Sequence, residues 1–439
     1  MGDHSQDKNH SIQNLRAFLQ RRRPERTGPY TAVSLFSGAG ISDMGYELAG
    51  FRFIVQSEIN SKRARLGNDN FPSSNWIVED ILQASDQIIK TYKEQTTDRL
   101  TLLTATPPCQ GMSSLNPTRG KRKTPIARLQ EGKNKLLLEI VPVAKALAPR
   151  IIIAENVRPM LTLHVTSGSG EVRLIDVLCN ELPDYEVFEG IVDMADYGIP
   201  QIRKRAIVVA INKREKWLDQ FTSKEKRPWP NPTHSQSPED GKLGWITIRE
   251  WFEFMQYPPL DSQTIDQAHN GHRLHFVPHY DNDRYLLINH IPPYSGRSGY
   301  QNDVCPECSF TPVPEDQALC PTCGAVMRNR PIVTDDGTTR LIKGFRSSYR
   351  RMDPSKPAYT ITTNSSHIGS DYKIHPWENR VLSTLECSDL QTVPRFYDWS
   401  DAFNAGWPYL IRNVLGEALP SYFTYLHGRM LANLLSMSQ

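Results

Sequence analysis

The sequence lacks the features that would assign it to several protein classes. No apolar run approaches the roughly 20 residues that a membrane-spanning helix needs. The N-terminus, MGDHSQDKNH, is polar and has no apolar segment behind a charged start, so we expect no secretory signal. No internal repeat is visible. A chain of 439 residues without these features is expected to form two to three globular domains and to work in the cytoplasm.

A strong excess of charge and a disulfide framework are missing as well. The net charge is only +3, which neither demands nor excludes a nucleic-acid partner. Basic clusters at 21–26, 119–123, 201–205 and 346–351 favour a phosphate backbone as partner, although a charge run often marks only a solvated face. Seven cysteines, an odd number without a secretory signal, indicate a reducing compartment.

The chain does contain buried strands that alternate with helical segments. YTAVSLF, FRFIVQSE, RLTLLTATPP and PRIIIAENV each read as a strand that leads into a turn or a polar residue. This alternation predicts an α/β fold with a parallel, doubly wound sheet. Functional groups of such sheets lie at the carboxyl ends of the strands, which is where Gly38, Glu58, Cys109 and Glu155 fall.

Composition divides the chain into four segments. Residues 1–28 form a polar, basic tail with a short helix at Ile12–Arg21, and residues 29–215 form the α/β domain. Residues 216–405 are rich in Pro, His, Asn and Asp, which predicts a smaller, irregular domain. Residues 406–439 are apolar and helical, and we expect them to return to the α/β domain.

Glycines follow the first strand in LFSGAG, which lets the backbone approach a cofactor closely. The spacing is not the full G-x-G-x-x-G, so a nicotinamide enzyme is disfavoured. Glu58, about 20 residues further on, is placed to bind ribose hydroxyls. Asp80 follows a candidate third strand, where it either accepts a hydrogen bond from an adenine amino group or caps the next helix.

Two prolines precede Cys109 in TATPPCQG. They remove two backbone donors and stiffen the approach to the cysteine, which suits a nucleophile that needs a fixed direction of attack. From the local sequence alone, a nucleophile and a buried thiol are equally good interpretations.

An acid emerges from an apolar strand in AENV, and alternate arginines follow in QIRKR. Glu155 has reason to keep a raised pKa, which suits a general acid, and the alternative is an acid that caps the next helix. Arg203 and Arg205 fall on one face of an extended segment, where they clamp a phosphate, position a ring or form a solvated strand face.

Four cysteines stand in two C-x2-C pairs separated by eleven residues: Cys305, Cys308, Cys320 and Cys323. Matched pairs in one loop-rich segment indicate a tetrahedral zinc site rather than redox dithiols. Four thiolates leave no open position for catalysis, so we expect a structural zinc in a small zinc-ribbon-like insert.

SLFSGAG, PPCQG, ENV and QIRKR occur in this order, and together they resemble the motifs of the DNA (cytosine-5) methyltransferase family. ENRVLSTLECSDLQTVP resembles that family's ninth motif, and RNVLGEALP a variant of its tenth. The resemblance leaves residues 213–350 unmatched, where the family reads its target sequence. It implies a Rossmann-like, S-adenosylmethionine-dependent catalytic domain, a target-recognition domain at 216–405 and a prokaryotic restriction–modification enzyme.

The resemblance also implies a role for each motif residue. Cys109 would attack carbon 6 of a cytosine flipped out of duplex DNA, Glu155 would protonate ring nitrogen 3, and carbon 5 would take the methyl group. Arg203 and Arg205 would flank the flipped base. Gln110 and Ser113 would contact the backbone or base near the gap. The cofactor would be held by Phe36, Gly38, Gly40, Glu58, Asp80, Pro108 and Leu136.

This sequence departs from the family pattern at Ser34, Thr106 and Met112, and Glu417 stands where an asparagine is usual. Two other functions remain open: cytosine-5 methylation of RNA, and nucleic-acid binding without catalysis. The long unmatched segment favours DNA, and the intact catalytic set favours an enzyme. We expect a monomer that acts on double-stranded DNA at the nucleoid, with no membrane contact. A cognate restriction endonuclease would be a genetic partner and not a physical one.

Overall fold

The structure is a computed structural model that describes residues 2–24, 28–108, 136–167, 170–221, 226–238, 241–344 and 347–437. Its α-helices are α1 (Gly2–Leu19), α2 (Ile41–Leu48), α3 (Ser61–Asn70), α4 (Ile81–Gln95), α5 (Ile140–Leu147), α6 (Leu174–Glu181), α7 (Ile248–Met255), α8 (Asn282–Asn289), α9 (Thr384–Leu390), α10 (Ser400–Asn404), α11 (Pro408–Glu417) and α12 (Ser421–Ser436). None of the helices described is both long and apolar enough to cross a membrane.

The strands are β1 (Tyr30–Leu35), β2 (Phe51–Ser57), β3 (Asn75–Ile77), β4 (Leu102–Ala105), β5 (Ile151–Asn156), β6 (His164–Ser167), β7 (Gly170–Arg173), β8 (Tyr185–Asp193), β9 (Lys204–Asn212), β10 (His234–Ser235), β11 (Leu243–Gly244), β12 (Ile332–Asp335) and β13 (Thr338–Leu341). Short 3-10 helices occupy Leu136–Glu139, Arg158–Thr162, Met194–Tyr197, Lys216–Phe221 and Gly299–Gln301.

Within the described residues, seven strands form one sheet in the order β3-β2-β1-β4-β5-β9-β8, and each pair of neighbours from β3 to β5 is parallel. Side chains of successive residues enter different core clusters: Ala32 lies in one, and Val33 and Leu35 lie in the other. Both faces of the sheet are therefore covered, which explains why these strands are almost continuously apolar. The strand order reverses between β1 and β4, and a ligand crevice is expected at their carboxyl ends.

The prediction of a parallel sheet is confirmed for the five strands from β3 to β5 and is wrong for β8 and β9. β9 pairs antiparallel with both β5 and β8. β8 ends at Asp193 and β9 begins at Lys204, and a connection this short cannot carry the chain back across the sheet for parallel pairing. The fold is therefore a mixed α/β fold in which parallel pairs dominate.

The N-terminal segment differs from the polar tail that its composition suggests. α1 is longer than the expected short helix, and it buries Ile12, Leu15 and Leu19 in the larger core cluster. These three residues recur at helical spacing, so one face of an otherwise polar helix is apolar. The segment is thus part of the core.

The C-terminal helix α12 lies against α2. Two glycines permit this close approach, because a Cβ added to Gly45 would lie 2.1 Å from the carbonyl oxygen of Ser421, and one added to Gly428 would lie 2.7 Å from Cβ of Ala49. Residues beyond β9 thereby cover the start of the sheet.

The region between β9 and α9 consists of short elements with small cores of their own. One core contains Ile288 and Ile374, and another surrounds Cys305 and Cys320. Trp251 of α7, however, lies in the same cluster as the strands of the main sheet. The described core is thus continuous across residue 216, and the domain boundary placed there stays a prediction.

Candidate functional site

The turn after β1 has an uncommon backbone. Phe36, Gly38 and Gly40 have positive φ angles of 57°, 57° and 75°. Glycine adopts such angles readily, whereas a bulky residue is strained there, and the carbonyl oxygen of Phe36 accepts a hydrogen bond from Oγ1 of Thr106 at 2.9 Å. Among the residues that the structure describes, a Cβ added to Gly38 would meet no heavy atom within 4 Å. Open space therefore lies beside this glycine.

Glu58 joins this turn to the one after β2. The backbone N–H of Gly38 donates to Oε2 of Glu58 at 3.0 Å, and the N–H of Asn60 donates to Oε1 at 2.8 Å. The side chain is largely buried, and an ionised carboxylate has lone pairs left over after two such bonds. Glu58 is thus fixed in position with spare acceptor capacity.

The other predicted cofactor residues lie around the same edge of the sheet. Asp80 caps α4, because its Oδ1 accepts a hydrogen bond from the backbone N–H of Leu82 at 3.1 Å. Helix capping is therefore one role of Asp80, and a contact of Asp80 with adenine stays a prediction. Pro108 is half-buried after β4, and Leu136 opens a 3-10 helix that packs on the core.

Sequence reasoning missed a set of exposed apolar side chains beside these residues. Ile59, Val78 and Leu82 are 65%, 48% and 63% exposed. They follow β2, follow β3 and begin α4, so they lie at the carboxyl edge of the sheet. The available signal was their position next to Glu58 and Asp80. Exposed apolar groups at such an edge suit a flat, apolar ring.

The loop that leads to the predicted nucleophile is anchored where it leaves β4. Nδ2 of Asn156 donates to the carbonyl oxygen of Pro107 at 2.9 Å, and the N–H of Thr106 donates to Leu35 at 3.2 Å. The proline loop is thereby held from β1 and from β5. Cys109, Gln110 and Ser113 lie outside the described residues.

Glu155 and Arg205 come together at the end of β5. Nε of Arg205 lies 2.9 Å from Oε1 of Glu155, and the two side chains are only 12% and 6% exposed. Burial raises the pKa of the Glu155 carboxyl, while Arg205 and Arg203 oppose that shift. A raised pKa is what a general acid needs, because it favours the protonated form of the carboxyl group.

Arg203 has a different environment from Arg205, although the sequence suggested one shared face. Its guanidinium is fully buried, where Nη1 donates to the carbonyl of Ile361 and Nη2 to that of Gly416, both at 2.9 Å. It therefore binds two later segments to the start of β9. A direct contact of Arg203 with a base stays a prediction.

The sheet topology brings most of the predicted residues to one edge. β1, β4 and β5 are neighbours and end at the same edge, and β9 begins there because it runs antiparallel to β5. The glycine turn, the proline loop, Glu155 and Arg205 therefore adjoin one another in this order.

The cysteine quartet lies in the irregular region, and its four Sγ atoms are all within 4.8 Å of one another. Sγ of Cys305 lies 3.7 Å from that of Cys323, and Sγ of Cys308 lies 3.7 Å from that of Cys320. A tetrahedral ion with bonds of about 2.3 Å to sulfur requires sulfur separations of about 3.8 Å. The quartet therefore has a geometry that could hold a metal ion.

Two matching turns and a buried arginine shape the quartet. Cys305 and Cys320 each begin a turn in which their carbonyl accepts a hydrogen bond from the N–H four residues later. The guanidinium of Arg330 is buried, and it donates hydrogen bonds to the backbone carbonyls of Asn302, Val313, Pro314 and Gln317. The hydrogen bonds of Arg330 thus fix the loop between the two turns, where the hydrophobic core is small.

The chain resembles known proteins over most of its length. A family model described as C-5 cytosine-specific DNA methylase matches residues 30–421. The type II methyltransferase M1.HgaI of Avibacterium volantium is 28% identical over 400 residues, which cover 88% of this chain and 94% of that protein. The type II methyltransferase M.Eco47II of Escherichia coli is 23% identical over 414 residues, which cover 92% and 79%.

Solved structures share the fold. A candidate DNA modification methyltransferase encoded within an Escherichia coli prophage superposes with a TM-score of 0.56 at 19% identity, over 93% of this chain and 99% of that one. The methyltransferase EhMeth of Entamoeba histolytica gives a TM-score of 0.52 at 14% identity, over 94% and 99%.

Proposed function

The chain belongs to the family of C-5 cytosine-specific DNA methylases, and we propose that it methylates carbon 5 of a flipped cytosine within a specific duplex sequence, through a covalent bond to Cys109. Membership and the type II relatives make it a DNA (cytosine-5) methyltransferase of a restriction–modification system. The observation that carries the mechanism is the buried Glu155–Arg205 pair beside the anchored proline loop.

The proposed reaction assigns a task to each residue. The Cys109 thiolate adds to carbon 6 of cytosine while Glu155 gives its proton to ring nitrogen 3, so that electron density moves to carbon 5. Carbon 5 then takes the methyl group. A base removes the proton from carbon 5, the bond to Cys109 breaks, and the proton on nitrogen 3 returns to Glu155. Arg205 holds the Glu155 carboxyl group in place throughout.

The residues at the sheet edge suit S-adenosylmethionine, which when bound supplies the methyl group from its sulfonium centre. The open space beside Gly38 and its positive φ angle leave room for the ligand. Glu58 has acceptor capacity for ribose hydroxyls, and the exposed Ile59 and Val78 suit the adenine ring.

We propose that the cysteine quartet holds one structural zinc ion. The sulfur separations of 3.7 Å support this, as do the two matching turns. All four ligands come from the protein, so the ion would stabilise the irregular region and take no part in methyl transfer.

The proposed substrate also defines partners and location. Double-stranded DNA is the partner of the family, and a restriction endonuclease would be linked genetically without physical contact. One chain carries the nucleophile, the acid and the cofactor residues, so we propose that it acts as a monomer. Its place would be the cytoplasm, at the nucleoid.

Covalent trapping tests the proposed mechanism. A random-sequence duplex that contains 5-fluorocytosine should form a stable protein–DNA adduct in the presence of cofactor, because fluorine at carbon 5 cannot leave as a proton does. The Cys109→Ala variant should form none. Wild-type protein that gives no adduct, or a Cys109→Ala variant that still gives one, would overturn the proposal.

A further inference from the structure

β4 continues into the proline loop through Thr106. The two residues that follow, Pro107 and Pro108, have no backbone N–H, so Thr106 is the last backbone donor before the proposed nucleophile. Its N–H donates to the carbonyl oxygen of Leu35 at 3.2 Å and extends the pairing of β4 with β1 by one residue. Any further donor from Thr106 and the two prolines to the glycine turn therefore has to be a side chain.

The hydroxyl group of Thr106 is such a donor. Oγ1 of Thr106 donates to the carbonyl oxygen of Phe36 at 2.9 Å, and the described residues provide no second donor to this oxygen. Phe36 has a φ angle of 57°, at which a bulky residue is strained, so the turn needs a contact that holds this conformation. The hydrogen bond from Thr106 is a contact of this kind.

Thr106 thus joins the two parts of the proposed site. On one side it holds Phe36, which leads into the glycine turn, and on the other it precedes Pro107, whose carbonyl oxygen accepts from Asn156 at 2.9 Å. Methyl transfer requires the cofactor and the nucleophile to approach the same base, so the spacing of turn and loop matters. Because this sequence departs from the family pattern at Thr106, the contact is a property of this chain.

We propose that Thr106 is a positioning residue whose hydroxyl group fixes the glycine turn relative to the proline loop. This rests on the proposed function, with S-adenosylmethionine at the turn and Cys109 as the nucleophile. Without the hydroxyl group, Phe36 is able to leave its strained conformation, and the affinity for the cofactor falls with the population of the competent turn. The spacing between methyl donor and nucleophile is then less well defined, so the chemical step slows as well.

Thr106→Val tests this role, because valine keeps the branched shape of threonine and lacks the hydroxyl group. In calorimetric titration it should bind S-adenosylhomocysteine about fivefold more weakly than the wild type, as expected for one neutral hydrogen bond. Its single-turnover rate of methyl transfer to genomic duplex DNA, at saturating cofactor, should also fall about fivefold. Thr106→Ser keeps a hydroxyl group and should restore both values to within about twofold of the wild type.

Thr31→Val is the matched control, because it removes a similar hydrogen bond at the opposite end of β1. Oγ1 of Thr31 donates to the carbonyl oxygen of Arg99 at 3.1 Å and accepts from the hydroxyl group of Tyr92 at 2.8 Å. Thr31→Val should therefore lose at least as much unfolding free energy as Thr106→Val. Its affinity for S-adenosylhomocysteine and its rate of methyl transfer should stay as in the wild type.

Three results would overturn the role of Thr106: wild-type affinity or rate in Thr106→Val, no recovery in Thr106→Ser, or equal functional losses in Thr31→Val. Loss of affinity with an unchanged rate at saturating cofactor counts among them, because it would leave the proline loop unaffected. Wild-type protein that does not bind S-adenosylhomocysteine, or that transfers no methyl group, would instead contradict the proposed function itself.

Discussion

The carboxyl group of Glu155 is subject to two opposing influences. Burial favours its protonated form, and the guanidinium of Arg205, at 2.9 Å, favours the ionised form. Catalysis requires that the carboxyl group stay protonated until nitrogen 3 of the cytosine is within hydrogen-bonding distance. Arg205 restricts the rotamer of the carboxyl group, so that the proton is presented in one direction.

We expect Glu155→Gln to reduce kcat at least about hundredfold, because the amide keeps the shape but has no acidic proton to give. The affinity for S-adenosylhomocysteine should stay as in the wild type. Glu186→Gln, an exposed acid on β8, is the matched control and should keep full activity. Single-turnover kinetics measures both; a Glu155→Gln variant with wild-type kcat would exclude this residue as the acid.

Asp43 gives a prediction for stability. It is buried, and burial raises its pKa from 3.8 to about 6, against hydrogen bonds from side chains such as Gln56. The folded state therefore binds more protons than the unfolded state between these pKa values, so stability falls as pH rises through that window. Relative to Asp43→Asn, the wild type should lose up to about 3 kcal/mol of unfolding free energy there. Chemical unfolding at a series of pH values measures this difference. The prediction fails if the unfolding free energies of the wild type and Asp43→Asn change equally with pH.

The motifs identify single candidate residues, and the catalytic roles of these residues stay predictions. Glu155 and Arg205 follow from ENV and QIRKR, and the structure pairs them. The hydrogen bond from Asn156 to Pro107 and the ion pair of Arg63 with Glu417 were not predictable. Their partners lie 49 and 354 residues apart, and periodicity carries no information on such contacts.

Among the elements, α2 and α12 depend on two glycines for their close approach. Gly45→Ala should cost about 1–3 kcal/mol of unfolding free energy, because its Cβ would lie 2.1 Å from the backbone oxygen of Ser421, which has no freedom to move aside. Gly170→Ala should be close to neutral, because a Cβ at this position would meet no heavy atom of the described residues within 4 Å. Denaturant unfolding of both variants measures the difference; equal costs would contradict this packing.

The cysteine quartet predicts a countable metal. The purified wild-type chain should contain one zinc per molecule, and Cys320→Ser should lose most of it because three sulfur ligands bind zinc far more weakly than four. Cys179→Ser, a half-buried cysteine outside the quartet, should keep it. Elemental analysis measures the zinc content of each protein. Wild-type protein without zinc would contradict the proposed metal site.

The sequence predicted the elements of the sheet better than their directions. Apolar runs located β1, β2, β4 and β5. Strand direction depends on the length of the connections, and the short connection between β8 and β9 makes their pairing antiparallel. α1 shows a related limit, because its overall composition is polar although Ile12, Leu15 and Leu19 form one buried apolar face.

On the scale of the whole molecule, one continuous core joins the sheet to the start of the irregular region. Trp251 and the strand residue Ile207 share a cluster, and Arg203 binds the carbonyls of Ile361 and Gly416. The composition suggested separate domains because it reflects how polarity changes along the sequence. It carries no information on contacts between residues that are distant in the sequence. The catalytic edge and the segment that we expect to read DNA are therefore positioned relative to one another by buried contacts.

We propose that the protein methylates cytosine in duplex DNA through a covalent bond to Cys109, and transfer of a labelled methyl group from S-adenosylmethionine tests this proposal most directly. Wild-type protein should label carbon 5 of cytosine in genomic duplex DNA and leave RNA unlabelled, and Cys109→Ala should transfer nothing. Methyl transfer to RNA alone, or an undiminished rate of methyl transfer by Cys109→Ala, would contradict the proposed function.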